Sequence, residues 1–155
     1  MSQNAYSATL EAETDTDGPM FVTMTVDGQM MGIEVKHVRD VLREQKITPV
    51  PLAPPEVAGS LNLRGRIVTV IDLRRRLGLQ AQDPESKCHF VVVDLRGELY
   101  SLMVDSVGDV LTSRLSHMEK PPGNLGAAWK EIATGVYKLD GRLIVLMDVQ
   151  TLLKM

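Results

Sequence analysis

The chain has 155 residues, a formal net charge of −3 and one cysteine. Its 44% apolar and 24% charged content is that of a folded domain and excludes wholesale disorder. Its longest apolar run, Leu143 to Met147, falls far short of the ~18 residues that span a membrane. A single cysteine excludes an internal disulfide and fits a reducing compartment, so a cytoplasmic location is expected.

Residues 2–18 hold no Lys or Arg and four acids, Glu11, Glu13, Asp15 and Asp17. They lack the basic start and apolar stretch of a signal peptide. Residues 1–18 are therefore expected to form a disordered acidic tail, and residues 19–155 the folded part. From Met20 the texture changes. Met20 to Val26 and Met30 to Val35 flank the turn pair Asp27-Gly28, which reads as a β-hairpin. Val38, Val41 and Leu42 then fall at i, i+3 and i+4, which predicts a short amphipathic helix with all three facing the core and Val38 also reaching the surface. Pro49, Pro51, Pro54 and Pro55 interrupt the next stretch, and Pro55 suits the first turn of a helix over Glu56-Val57-Ala58.

Leu61 to Leu63, Arg64-Gly65-Arg66 and Ile67 to Leu73 predict a turn leading into a buried strand. Arg74 to Leu77 is a short segment closed by Gly78, and Gln80 to Ser86 a linker. Cys88 to Leu95 and Leu99 to Val104 predict a hairpin around Arg96-Gly97-Glu98, followed by a second short helix over Ser106 to Leu111. Pro121-Pro122-Gly123 marks a long loop, with a helical turn or two over Ala127 to Ile132. Val136 to Leu139 and Arg142 to Val149, joined by Asp140-Gly141, make a last hairpin, and Leu152-Leu153 a final helical turn. Many short strands, with turn signals about every ten residues, predict a small barrel or sandwich.

The chain echoes itself. At a shift of 69, Gly28 meets Gly97, Val35 meets Val104, Val38 meets Val107, and Asp40-Val41-Leu42 meets Asp109-Val110-Leu111. At a shift of 76, Gly65-Arg66 meets Gly141-Arg142, Asp72 meets Asp148, and Leu77 meets Leu153. Two echoes in the same order predict two similar small β-barrels, neither able to cover its apolar faces alone.

Catalytic and metal signatures are missing. His37, His89 and His117 have no partner at metal-ligand spacing. Cys88 and His89 are adjacent in a predicted strand, so alternation sends them to opposite faces and Cys88 is read as a structural thiol. No phosphate-binding glycine loop or nucleophile motif occurs. No catalytic, cofactor or metal site is expected, and the protein is read as no enzyme. The basic stretch Arg64, Arg66, Arg74, Arg75 and Arg76 offers an alternative, a small nucleic-acid-binding barrel. It lacks stacking aromatics in a chain with only six and a negative net charge. Arg74 to Arg76 are read instead as a solvated face. Arg64 and Arg66 stand at a tight turn, where a guanidinium reaches a carboxylate within the fold or on a partner.

The stretch Pro54 to Leu73, PPEVAGSLNLRGRIVTVIDL, resembles the signature of bacterial chemotaxis coupling proteins, the CheW-like family. Its Asn62-Leu63-Arg64-Gly65 matches the family's N-L-R-G, and Asp72-Leu73-Arg74 follows in place. Phe21 to Leu42 resembles the opening hairpin, Val104 to Leu111 the V-D-x-V-x-D-V-L element, and Gly141 to Leu153 the last strand and helix.

The resemblance implies two intertwined five-stranded SH3-like β-barrels with a few short helices. It implies a non-catalytic adaptor linking the cytoplasmic tips of chemoreceptors to the regulatory domain of a CheA-type histidine kinase. The kinase would dock through exposed strand edges, and a receptor tip in a groove between the barrels. By the same carry-over, Arg64, Val38, Asp40, Val107 and Val110 are the partner-binding candidates. The isolated protein is expected to be a monomer, recruited to receptor arrays without entering the membrane and without nucleic acid.

Overall fold

The computed structural model describes residues 17–43, 45–80 and 87–154. Apart from Asp17 and Gly18, the expected acidic tail lies outside them, as does the expected linker beyond Gln80. Asp17 and Gly18 are tied to the fold: the Leu115 N–H donates to Asp17 Oδ1 at 2.8 Å, and the Gly18 N–H to the Ser113 carbonyl at 3.1 Å.

The structure is mainly β. In chain order it runs β1 (Met20–Val26), β2 (Gln29–Glu34), a 3₁₀ turn (Val35–His37), β3 (Val38–Leu42), β4 (Val57–Leu63), β5 (Arg66–Asp72) and α1 (Leu73–Arg76). There follow β6 (His89–Leu95), β7 (Glu98–Val104), β8 (Ser106–Thr112), a 3₁₀ turn (Leu115–His117) and β9 (Met118–Glu119). The chain ends on α2 (Ala127–Ile132), β10 (Ala133–Leu139), β11 (Arg142–Met147) and α3 (Val149–Leu152). One sheet has the order β8-β1-β2-β11-β10-β9 and builds barrel I; the other, β3-β6-β7-β5-β4, builds barrel II.

Four hairpins supply most of this, and their turn chemistry is local. Asp27-Gly28, Arg64-Gly65, Arg96-Gly97 and Asp140-Gly141 each form a two-residue loop with positive φ at both positions, for example 50° at Arg64 and 85° at Gly65. That is the type I′ geometry whose twist matches a hairpin. Asp72 at the end of β5 and Asp148 just past β11 then serve as helix N-caps, accepting from the N–H groups of Arg74 and Thr151 at 3.0 and 3.3 Å.

The internal repeat is structural and its third strands are exchanged. Each opening hairpin takes its outer strand from the other half: β1 pairs with β8, and β6 with β3. The registers are images of each other. Phe21 faces Leu111 as Phe90 faces Leu42, and Met24 faces Val107 as Val93 faces Val38. The parallel pairs β2–β11 and β7–β5 match likewise, Gly32 with Leu146 and Ser101 with Val70. Exchange of strands is what makes the two barrels intertwined.

The segments Val38–Leu42 and Ser106–Thr112, expected as helices, are therefore strands. Each carries a bulge, so two residues three apart return to one sheet face. Val38 and Val41 oppose Val93 and Val91. A bulged strand thus mimics the i, i+3 spacing of a helix, and cross-sheet pairing decides between them. The helix expected over Glu56–Ala58 is instead a turn at Glu56 leading into β4 at Val57.

Apolar side chains sort into three clusters. Phe21, Tyr137, Ile144 and Leu146 fill barrel I, and Phe90, Leu61, Val68 and Val70 fill barrel II at the repeat-related positions. The largest cluster lies between the barrels and draws Met24, Met31 and Ile33 from one sheet and Ile71, Val91 and Leu102 from the other. Ile132, Val149, Leu152 and Trp129 of the later helices also pack there, together with Leu125 from the loop after Pro121. Barrel II closes where Thr48 and Ser60 exchange two backbone hydrogen bonds of 2.8 Å. Gly59 permits this: at φ 150°, a Cβ would run into the Thr48 carbonyl and lie 2.6 Å from Ile47 Cγ2.

Candidate functional site

Arg64 sits at the first position of the β4–β5 turn, with its side chain 81% exposed. The turn is braced by the Gly65 N–H donating to Asn62 Oδ1 at 2.9 Å. Across the barrel opening stands Asp40 on β3, an edge strand of its sheet. Its Oδ1 accepts from the Val41 N–H at 2.8 Å, and its Oδ2 accepts from Arg64 Nη2 at 3.1 Å. The structure thus joins two of the candidate residues, 24 positions apart in sequence, in one ion pair. So exposed a pair contributes only about 0–1 kcal/mol to stability. A guanidinium held in this way still presents its remaining donors outward.

The valines divide differently from expectation. Val38 and Val107 are repeat equivalents, half-buried, and packed on the cluster between the barrels. Val41 and Val110, also equivalents, are 42% and 51% exposed. The expectation of a core-facing side chain that also reaches the surface holds for Val38, and the expectation that Val41 faces the core fails. The bulge puts both on one face, and the packed part of that face ends before Val41. The two edge strands that bear these residues belong to different barrels. β8 of barrel I packs beside β6 of barrel II, next to β3.

Among the described residues the most exposed large apolar side chains are Leu52 and Ile67, the latter at 73%. Ile67 lies in a run that reads as mostly buried, but its cross-strand partner is Asn62. A polar residue opposite was the available signal that this face meets water.

The arginine cluster is not one surface. Arg74 grips Asp105 with Nε–Oδ1 and Nη2–Oδ2 distances of 2.9 and 2.7 Å, which holds the Asp105 carboxyl below the usual carboxylate range against the opposing push of burial. Arg76 donates from Nε to the Leu152 carbonyl at 2.9 Å, with its side chain only 10% exposed. Of the expected solvated face only Arg75 is half exposed, 3.9 Å from Asp72. The nucleic-acid alternative loses its footing with these contacts. Cys88 is half-buried, and burial, followed by the nearby Asp105 and Asp72 charges, pushes its thiol up, away from a reactive thiolate. Among the described residues no helix is long and apolar enough to cross a membrane.

Comparison with known proteins assigns this two-barrel frame. The family model for the CheW-like domain matches residues 20–155, through both barrels. The chain belongs to the CheW-like family. It is 31% identical over 144 residues to the chemotaxis protein CheW of Bacillus subtilis, covering 93% of this chain and 92% of that one. It is 28% identical over 134 residues to the chemotaxis protein CheW of Rhizobium meliloti, covering 86% of each. The crystal structure of the scaffolding protein TtCheW from Thermoanaerobacter tengcongensis superposes with a TM-score of 0.79 at 26% identity, over 88% of this chain and 93% of that one. CheW-like membership agrees with the exchanged strands and with the placement of Asn62-Leu63-Arg64-Gly65 on a surface turn.

Proposed function

We propose that this CheW-like protein is a non-catalytic adaptor in chemotaxis signalling, which couples the cytoplasmic tips of chemoreceptors to the regulatory domain of a CheA-type histidine kinase. The observation that carries this reading is the match of one family model through both barrels, β1 to α3. An adaptor needs two rigid surfaces with a fixed relation. Two barrels sharing one core and two exchanged strands supply that frame.

Arg64 and Asp40 are the proposed centre of the partner-facing surface, with Val110 at the edge of the neighbouring barrel. Val38 and Val107 support it from beneath, since they pack on the shared core. Arg64 contributes its unused guanidinium donors to a carboxylate or carbonyl of the partner. The protein works in the cytoplasm, drawn to membrane-bound receptors by its partners.

Calorimetric titration with the regulatory domain of the CheA-type kinase from the same source tests the reading. Saturable one-to-one binding is expected. Arg64→Ala is expected to keep the fold and reduce receptor-dependent kinase control. Heat at the dilution baseline up to high micromolar concentration overturns the adaptor assignment.

A further inference from the structure

The chain passes between the two sheets twice, from β2 to β3 and from β7 to β8. The crossings are repeat equivalents but are built differently. The first runs through the 3₁₀ turn Val35–His37, and its exposed Lys36 pairs with neighbouring Glu34 at 3.1 Å.

The second crossing is a single residue, Asp105. Its N–H donates to the Thr25 carbonyl of β1 at 3.1 Å, and its carboxylate accepts from the Asp27 N–H in the β1–β2 turn at 2.8 Å. The same carboxylate accepts from Nε and Nη2 of Arg74 on α1, and the two side chains are only 18% and 17% exposed. Arg74 Nη1 adds a bond to the Gln80 carbonyl at 3.1 Å and lies 3.8 Å from the Asp27 carboxylate. Two residues on, Arg76 donates to the Leu152 and Thr151 carbonyls at 2.9 and 3.3 Å, which caps α3. Helix α1 follows β5 of barrel II, while the β1–β2 turn and α3 belong to barrel I. One helical turn therefore holds the other barrel at two points. The repeat-related residues are Lys36 in place of Asp105 and Gln150 in place of Arg74, which cannot make this pair.

We infer that the Arg74–Asp105 pair is a one-sided lock that fixes the setting of barrel I against barrel II, with the Val35–His37 crossing as the side about which they shift once it is broken. The apolar core between the barrels resists separation, but its attraction is non-directional. A two-point guanidinium–carboxylate pair constrains direction as well as distance. Arg74 and Asp105 are positioning residues in this account. The inference concerns the frame and stands or falls independently of which partners the adaptor binds.

Paired spin labels test it, at Ile67→Cys on β5 and Arg142→Cys on β11, in a Cys88→Ala background, with distances read by pulsed electron resonance. The unmodified pair is expected to give one narrow distribution. Arg74→Gln and Asp105→Asn are expected to broaden or shift it while cooperative unfolding and the β-sheet dichroism persist. Arg75→Gln, at the exposed neighbour, is expected to leave it unchanged. Arg74→Lys keeps the charge without the fork and serves if Arg74→Gln does not fold; it is expected to broaden the distribution too. An unchanged distribution in a folded Arg74 or Asp105 variant overturns the lock. Failure of even Arg74→Lys to fold also overturns it, in favour of a pair needed only for folding.

Discussion

In barrel II the β4–β5 turn carries Arg64, and the facing edge strand carries Asp40, 3.1 Å away. In barrel I the same two places hold Asp140 and Asp109, two acids. Around them the barrels agree closely: the same two-residue turns, the same bulge in the exchanged strand, the same aspartate caps, and fillings that correspond residue by residue. The shared residues build the frame. The unshared charges, Arg64 with Asp40 on one barrel and Arg74 with Asp105 at one crossing, are where the two halves differ.

The largest effects probe the shared frame. Gly59→Ala forces a Cβ against the Thr48 carbonyl at φ 150°, and is expected to cost about 2–4 kcal/mol in chemical denaturation. Its repeat equivalent Gly135→Ala meets the Glu119 carbonyl at 3.0 Å without an unusual φ, and is expected to cost only about 1 kcal/mol. Equal losses would show that the positive φ at Gly59 adds nothing to the cost of the Cβ.

Val38→Asp places a charge against the core between the barrels, with an expected loss of roughly 3 kcal/mol or more. Val41→Asp, on an exposed position, should stay within about 0.5 kcal/mol. The pair Val107→Asp and Val110→Asp should follow the same order, and a reversed order in either barrel would refute the bulged-strand geometry.

Acid titration sharpens the asymmetry between the crossings. The Asp105 carboxyl is pushed up by burial, but the Arg74 hydrogen bonds, the Asp27 N–H and the Arg74 charge together hold it below its ordinary range. Such a group contributes its stability in full above the unfolded-state pKa of about 3.9 and loses it as pH falls through the lower folded value. Asp105→Asn should therefore be less stable than the parent at neutral pH and lose less stability on acidification below about pH 4. Parallel curves would remove Asp105 from the acid response.

The smallest effect concerns Ser101, fully buried with no partner for its hydroxyl, where barrel I has Gly32. Ser101→Ala should be neutral or stabilising by up to about 1 kcal/mol, since it removes an unsatisfied polar group.

Much of this fold was legible because turn chemistry is local. Asp27-Gly28, Arg96-Gly97 and Asp140-Gly141 mark hairpins with no tertiary information, and the repeats at 69 and 76 carry the duplication. The edge strands were not legible as strands. Val38-x-x-Val41-Leu42 has helical spacing only because a bulge adds a residue, and its partner strand β6 lies some fifty positions away. The site was half legible. Arg64 stood out at its turn, but its contact with Asp40 depends on how barrel II closes. Arg74 and Arg76 read as a charged face because their partners, Asp105 and the Leu152 carbonyl, are distant in sequence.

The proposed adaptor role requires this protein to bridge chemoreceptor tips and a CheA-type kinase. The direct measurement is sedimentation of a CheA-type kinase with vesicles bearing chemoreceptor tips, with and without this protein and its Arg64→Ala variant. The account predicts that the kinase sediments only when the protein is present, and that the Arg64→Ala variant retains less of it. Equal sedimentation of the kinase in its absence, or none in its presence, would contradict the account.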